Sequence, residues 1–131
     1  VILLDATAVR AFWNGHAALT RLVDNSTDGA TPVLVPAACL QEAETHLPGS
    51  GPTILAQPCI QVLPLGQVSA VAAGVLAHEH PELTTGQAHA LQCVLPDLSH
   101  PAGHVILSTE PDAYPHGVPA FSIDHPGLLG P

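Results

Sequence analysis

The amino-acid sequence predicts an α/β domain with a central parallel sheet and helices on both faces. Three observations carry this. Val1–Leu4 is an aliphatic run that ends in a carboxylate, Asp5. Val105–Leu107 is a second such run, followed by Ser108 and Thr109. Between them, strand-like and helix-like segments alternate. Aliphatic runs too short for a helix read as strands buried on both faces. Their alternation with helices implies a parallel sheet with right-handed crossovers. An acid at the carboxyl end of a buried strand lies where open α/β sheets keep their ligands.

The elements follow in order. After the first strand, Ala6–Val23 carries Val9, Phe12, Trp13, Ala17, Leu19 and Val23 mostly on one helical face. Residues 24–32 form a polar turn. Val33–Val35 is a short extended lead, and Pro36 opens a helix to about Leu47, since proline suits the first helical position. Residues 48–52, Pro-Gly-Ser-Gly-Pro, stop it; residues 53–56 fit neither state. Cys59–Leu65 alternates as a strand. Gln67–His80 is a helix rich in Ala and Val, ended by Pro81. Thr84 or Thr85 is the N-cap of a helix to about Leu95. Residues 96–103 are a loop, His104–Thr109 is the second buried strand, and Val118–Ile123 is the last. The Pro/Gly tail should fray.

At 131 residues and 47% hydrophobic content the chain makes one globular domain, residues 1–131. No apolar run is long enough to cross a bilayer, and no basic leader with a cleavage site precedes the first strand. Cys39, Cys59 and Cys93 are widely spaced and odd in number, which suits reduced thiols in a cytoplasm. Arg10 and Arg21 are the only Lys or Arg residues, and the formal charge is −9. Nucleic-acid affinity comes largely from Lys and Arg neutralising phosphates. Two arginines cannot supply the roughly six contacts of an ordinary duplex binder. The nine histidines add charge only below about pH 6.5.

Three acidic points fall at element ends: Asp5 after the first strand, Glu42 in the Pro36 helix, and Glu110 after the second buried strand with Asp112 two residues on. Carboxylates converging at one sheet edge hold hard cations such as Mg²⁺ or Mn²⁺. From spacing alone the plainer reading makes Asp5 a helix N-cap and Glu42 and Asp112 solvated acids. Cys39, Glu42 and His46 share a helical face at i, i+3 and i+7; a zinc site needs a fourth ligand, which is not evident nearby. Cys39 reads more simply as core and His46 as a helix-end residue. The pair His78 and His80 lacks the spacing that puts two ligands on one face. Trp13 reads as core or as an interface anchor.

The order of four segments adds to this. VILLDATAVRAF (1–12) resembles the opening strand of the PIN domain family. PVLVPAACLQEAE (32–44) resembles that family's lead into its glutamate-bearing helix, with Glu42 at the second acidic position. HVILSTEPDAY (104–114) is similar to its strand followed by Thr-Thr-Asp, with Ser108, Thr109 and Glu110 in those places. VPAFSID (118–124) fits its last strand. The resemblance covers nearly the whole chain and implies a compact α/β/α sandwich. It also implies a metal-dependent ribonuclease, as in the VapC-type toxins of toxin–antitoxin pairs. Asp5, Glu42, Glu110 and Asp112 would then bind Mg²⁺ or Mn²⁺, and Asp5, Glu42 and Glu110 would form the catalytic set. Thr7 and Ser108 would orient these ligands.

The chain departs from that pattern at two points. The family's third acid opens a helix as Asp-Ala-x-x-Ala; here the stretch is Thr85-Gly86-Gln87-Ala88-His89-Ala90, and uncharged Gln87 holds the equivalent place. His89, two residues on, points about 200° away on a helix. Glu110 replaces the usual Asp, and its added methylene shifts the carboxylate by about 1 Å. The resemblance therefore implies an endoribonuclease with a weakened site, with RNA, an antitoxin and a second copy of the chain as its partners. The alternative is a catalytically inactive PIN-fold module that acts through protein contacts.

Overall fold

The computed structural model describes residues 1–26, 32–95 and 103–126. Five short strands form one sheet: β1 (Ile2–Leu4), β2 (Val33–Pro36), β3 (Ile60–Leu63), β4 (Val105–Ser108) and β5 (Ala120–Ser122), in the spatial order β3-β2-β1-β4-β5. All four pairings are parallel, with Leu3 opposite both Leu34 and Ile106. The helices are α1 (Ala6–Trp13), α2 (Ala17–Asn25), α3 (Ala37–His46), α4 (Ser50–Leu55), α5 (Gln67–Glu79) and α6 (Thr85–Cys93). They cover both faces, giving the three-layer α/β/α sandwich of a PIN-like domain. None of the described helices is long and apolar enough to cross a membrane.

The core explains which strands are central. Leu3, Leu4, Val35 and Ile106 are fully buried, and every residue of β2 is buried. Central strands lie between two helical layers, so both side-chain sets must be apolar. The edge strands β3 and β5 instead expose Gln61, Val62 and Phe121. The chain leaves β1 toward β2 on one side and returns as β4 on the other. A crevice opens at such a reversal, outside the carboxyl ends of the strands. Asp5 and Glu110 follow the two strands that flank it.

Two expected elements differ. The predicted helix Ala6–Val23 is two helices, separated at Asn14-Gly15. Gly15 takes φ +84°, a left-handed conformation that suits glycine, and Asn-Gly is itself a turn signal. His16 then caps α2, its Nδ1 accepting from the Leu19 amide at 3.3 Å. Residues 50–55, expected to be a stop and an ambiguous stretch, form α4. The side chain of Glu44 reaches forward to the start of α4: its carboxylate accepts from the Gly49 amide at 3.0 Å and the Gly51 amide at 2.8 Å. The predicted turn at 24–32 and loop at 96–103 fall mainly outside the described residues, as does most of the tail.

Helices α3 and α6 cap each other. Pro36 precedes α3 and has no side-chain acceptor to offer. The fully buried ring of His89, on α6, supplies one instead: its Nδ1 accepts from the Ala38 amide at 3.2 Å. In return Glu42, on α3, accepts from the Gly86 amide at 2.7 Å. Each helix thus satisfies a donor at the other's amino end, where four amides lack intrahelical partners.

Nδ1 of His89 can accept only while unprotonated, so in the neutral ring the proton sits on Nε2. Burial lowers the His89 pKa from its usual 6.5, with a smaller opposing pull from the Pro64 carbonyl. The unfolded chain therefore takes up this proton first as pH falls. Stability from His89 is complete above pH 6.5 and is lost as pH falls through the lowered folded value. His89→Asn keeps an acceptor near the Nδ1 position and removes the titration. Urea unfolding should show a shallower loss of stability for His89→Asn than for wild type between about pH 6.5 and 5. Parallel curves would rule out His89 as the acid-sensitive cap.

Candidate functional site

Asp5 sits immediately after β1 and is 1% exposed. It is the N-cap of α1, as the plainer reading of the sequence has it. Its Oδ1 accepts from the Ala8 amide at 3.0 Å and from the Thr7 hydroxyl at 2.6 Å. Its Oδ2 accepts from the Tyr114 hydroxyl at 2.8 Å. Thr7 spends its single proton on Asp5, so at the 3.2 Å contact between Thr7 and Ser108 the donor is Ser108. The Thr7 oxygen also accepts from the Thr109 amide at 2.9 Å, and Ser108 accepts from the Glu110 amide at 2.9 Å. One chain of hydroxyls thus ties the start of α1 to the loop after β4.

The other sequence-selected acids are placed differently. Glu42 is half-buried and gives both oxygens to the start of α6: Oε1 to the Gly86 amide, Oε2 to the Thr84 hydroxyl at 3.1 Å. Gly86 leaves room for this approach, since a β-carbon there would stand 2.8 Å from Glu42 Oε2. Glu110 and Asp112 are exposed. Gln87, in the place of the third acid, completes a capping box: its side-chain oxygen accepts from the Thr84 amide at 2.9 Å, while Thr84 accepts from the Gln87 amide.

Cys39 lies between these acids electrostatically but does not join them as a ligand. It is fully buried and its thiol donates to the Gly86 carbonyl at 3.1 Å. Burial, then the charges of Asp5 and Glu42, push its pKa well above the usual value. Glu42 and His46 line a cleft of about 270 Å³ with Ala38, Gln41, Thr45 and Thr85; Cys39 is not among its walls. Among the described residues no three of His, Cys, Asp and Glu are grouped so as to hold a metal ion. A hard-cation centre needs carboxylate oxygens with free lone pairs facing one point. Here the oxygens of Asp5 and Glu42 accept from the chain's own donors, an arrangement that fits helix capping.

The amino-acid pattern assigns Tyr114 no role. Its signal is chemical. It is the only tyrosine of the chain, and a buried tyrosine hydroxyl needs a partner. It is nearly fully buried. Burial and then the negative charge of Asp5 push its pKa far above the usual range, so it remains a neutral donor.

The comparison with solved structures agrees with this architecture. The chain is similar to a chain in the crystal structure of DNA-bound VapBC from Salmonella typhimurium, with a TM-score of 0.60 and 14% identity over 93% of this chain and 97% of that one. At that identity the likeness is one of fold, a PIN-like three-layer α/β/α sandwich. No protein-family model matches the chain, and no curated protein matches it.

Two predictions follow from the packing. Alanine in place of a helical glycine ordinarily stabilises by about 0.5–1 kcal/mol. Gly86→Ala should give no gain, because it displaces the Glu42 carboxylate from the Gly86 amide. In a Glu42→Ala background the same change should stabilise by about that ordinary amount. Equal effects in both backgrounds, measured by urea unfolding, would dissociate Gly86 from Glu42.

The second concerns alkaline pH. Cys39 and Tyr114 have raised pKa values, and burial pushes Cys93 from 9.0 up to about 12. The unfolded chain loses these protons first, so their contribution is complete below pH 9 and is lost as pH rises from 9 toward 12. Each such group steepens the fall by about 1.4 kcal/mol per pH unit. Cys93→Ala should flatten this limb relative to wild type; an unchanged slope would show that Cys93 does not titrate with unfolding.

Proposed function

We propose that this chain is the PIN-fold member of a toxin–antitoxin-type pair, and that it works by contact with a protein partner while its acidic site serves the fold. The observation that carries this reading is the state of Asp5. Its carboxylate is buried and takes three neutral donors from its own chain. Gln87, where the third acid would stand, is a neutral helix cap. The −9 charge with two arginines is also poorly suited to holding an RNA backbone.

A protein partner has a surface to meet. On α5, Val68, Val71 and Val75 are 84%, 71% and 53% exposed. Their spacing puts them on one helical stripe, and α5 carries no charged residue before Glu79. Exposed apolar stripes of this kind mark interaction surfaces. The similarity to a chain of a VapBC complex points the same way.

A second reading keeps hydrolysis. It is favoured by one observation: Asp5 and Glu42 both act electrostatically on Cys39 and on Tyr114, so their charges share one neighbourhood. In that reading Asp5, Glu42, Glu110 and Asp112 hold Mg²⁺ or Mn²⁺ and the chain cleaves RNA.

Calorimetry separates the two. The first reading expects no heat of Mn²⁺ binding up to millimolar concentration, and no Mn²⁺-dependent cleavage of total RNA. Micromolar binding that Asp5→Asn removes would establish the second reading instead. The partner itself is tested in the native host. After mild lysis the chain should elute with a second polypeptide, and Val71→Glu should release it while changing stability by no more than about 0.5 kcal/mol. Elution of wild type as a free monomer would sink the partner half of the proposal.

A further inference from the structure

A buried carboxylate is costly unless its charge is paired or fully hydrogen-bonded. Among the described residues the ion pairs are His16–Asp124 and His80–Glu82, and neither involves Asp5. Thr7 and Ala8 satisfy one oxygen locally, both from the first turn of α1. The other oxygen depends on a residue 109 positions away.

We infer that Tyr114 is the latch of this site: its hydroxyl satisfies the outer oxygen of Asp5 with a neutral donor, so that the carboxylate stays buried without a cation. The inference rests on the reading of the acidic site as serving the fold. Three features support it. The residues between Glu110 and Tyr114 form a single 3-10 turn, Pro111–Ala113, closed by the Ala113 amide on the Glu110 carbonyl at 3.0 Å. That turn carries the chain from the rim of the crevice back down to Asp5. The loop's first residues are fixed by Thr7 and Ser108, which are tied to the same carboxylate. The hydroxyl also remains protonated through the physiological range, because burial and the Asp5 charge both oppose its ionisation. Tyr114 is thus a positioning residue. It ties the loop after β4 to the carboxylate at the carboxyl end of β1.

A double-mutant cycle tests the latch by thermal unfolding. Tyr114→Phe keeps the ring and removes the hydroxyl, leaving Asp5 Oδ2 unsatisfied. In wild type it should lower the melting temperature by about 5–10 °C. Asp5→Ser keeps a good N-cap for α1 and removes the outer oxygen. In that background Tyr114→Phe should cost nothing or raise the melting temperature, because it removes a hydroxyl left without its acceptor. Asp5→Thr serves as a second cap-preserving background should the serine variant fold poorly. An equal loss in both backgrounds would mean that Tyr114 contributes only its ring, and the latch would be overturned. Manganese calorimetry judges the functional reading separately. Metal binding by wild type would refute that reading, while the cycle alone decides whether the hydroxyl and the carboxylate are coupled.

Discussion

The architecture of this domain turns on one buried carboxylate. Asp5 stands at the carboxyl end of the central strand, where the sheet reverses its winding and both neighbouring strands turn away. A charge in that position must be stabilised by something. The available means are a cation, a salt bridge or a complete set of hydrogen bonds. Among the described residues, Asp5 takes hydrogen bonds. The amino end of α1 supplies an amide and a favourable dipole, Thr7 supplies a hydroxyl, and Tyr114 brings one from the loop after β4. Satisfying Asp5 therefore fixes three things together: where α1 starts, how the loop after β4 runs, and where the 3-10 turn before Tyr114 settles.

The second acid follows the same logic on the other side of the crevice. Glu42 accepts from the Gly86 amide and the Thr84 hydroxyl. Releasing them would undo one half of the mutual capping of α3 and α6, whose other half is His89 on the Ala38 amide. An N-cap contributes about 0.5–2 kcal/mol, a large share of the stability of a marginally stable domain. The helix pair thus holds Glu42 as firmly as Glu42 holds the helix pair. Gly86 is the small residue that lets the two come close.

Much of this was legible in the residues. Buried runs around Leu3 and Ile106 stand where the pattern puts them, because burial on both faces leaves an aliphatic signature; the Ala/Val helix α5 also forms where expected, although Ala73 is its one buried residue. Thr84, one of the two N-cap candidates, caps α6. The break at Asn14-Gly15 was masked by apolar residues that continue the helical period across it. α4 was masked by its own Pro and Gly residues, since what starts it is the distant Glu44 carboxylate. Tyr114 was illegible for a stronger reason. Its contact spans 109 residues, and no local pattern tells a tyrosine that latches a carboxylate from one that only fills space.

The distribution of charge completes the physical account. A cluster of carboxylates without cations repels itself, and the repulsion grows as the local dielectric falls. This chain avoids the problem at each acidic position by a different route. Asp5 and Glu42 are each given their own donors. Gln87 is neutral. Glu110 and Asp112 face water, where a carboxylate is well solvated. An acidic domain with almost no basic residues can then keep two partly or fully buried carboxylates, because each is locally satisfied. The caps on Asp5 and Glu42 thus hold the shape of this region through the chain's own donors.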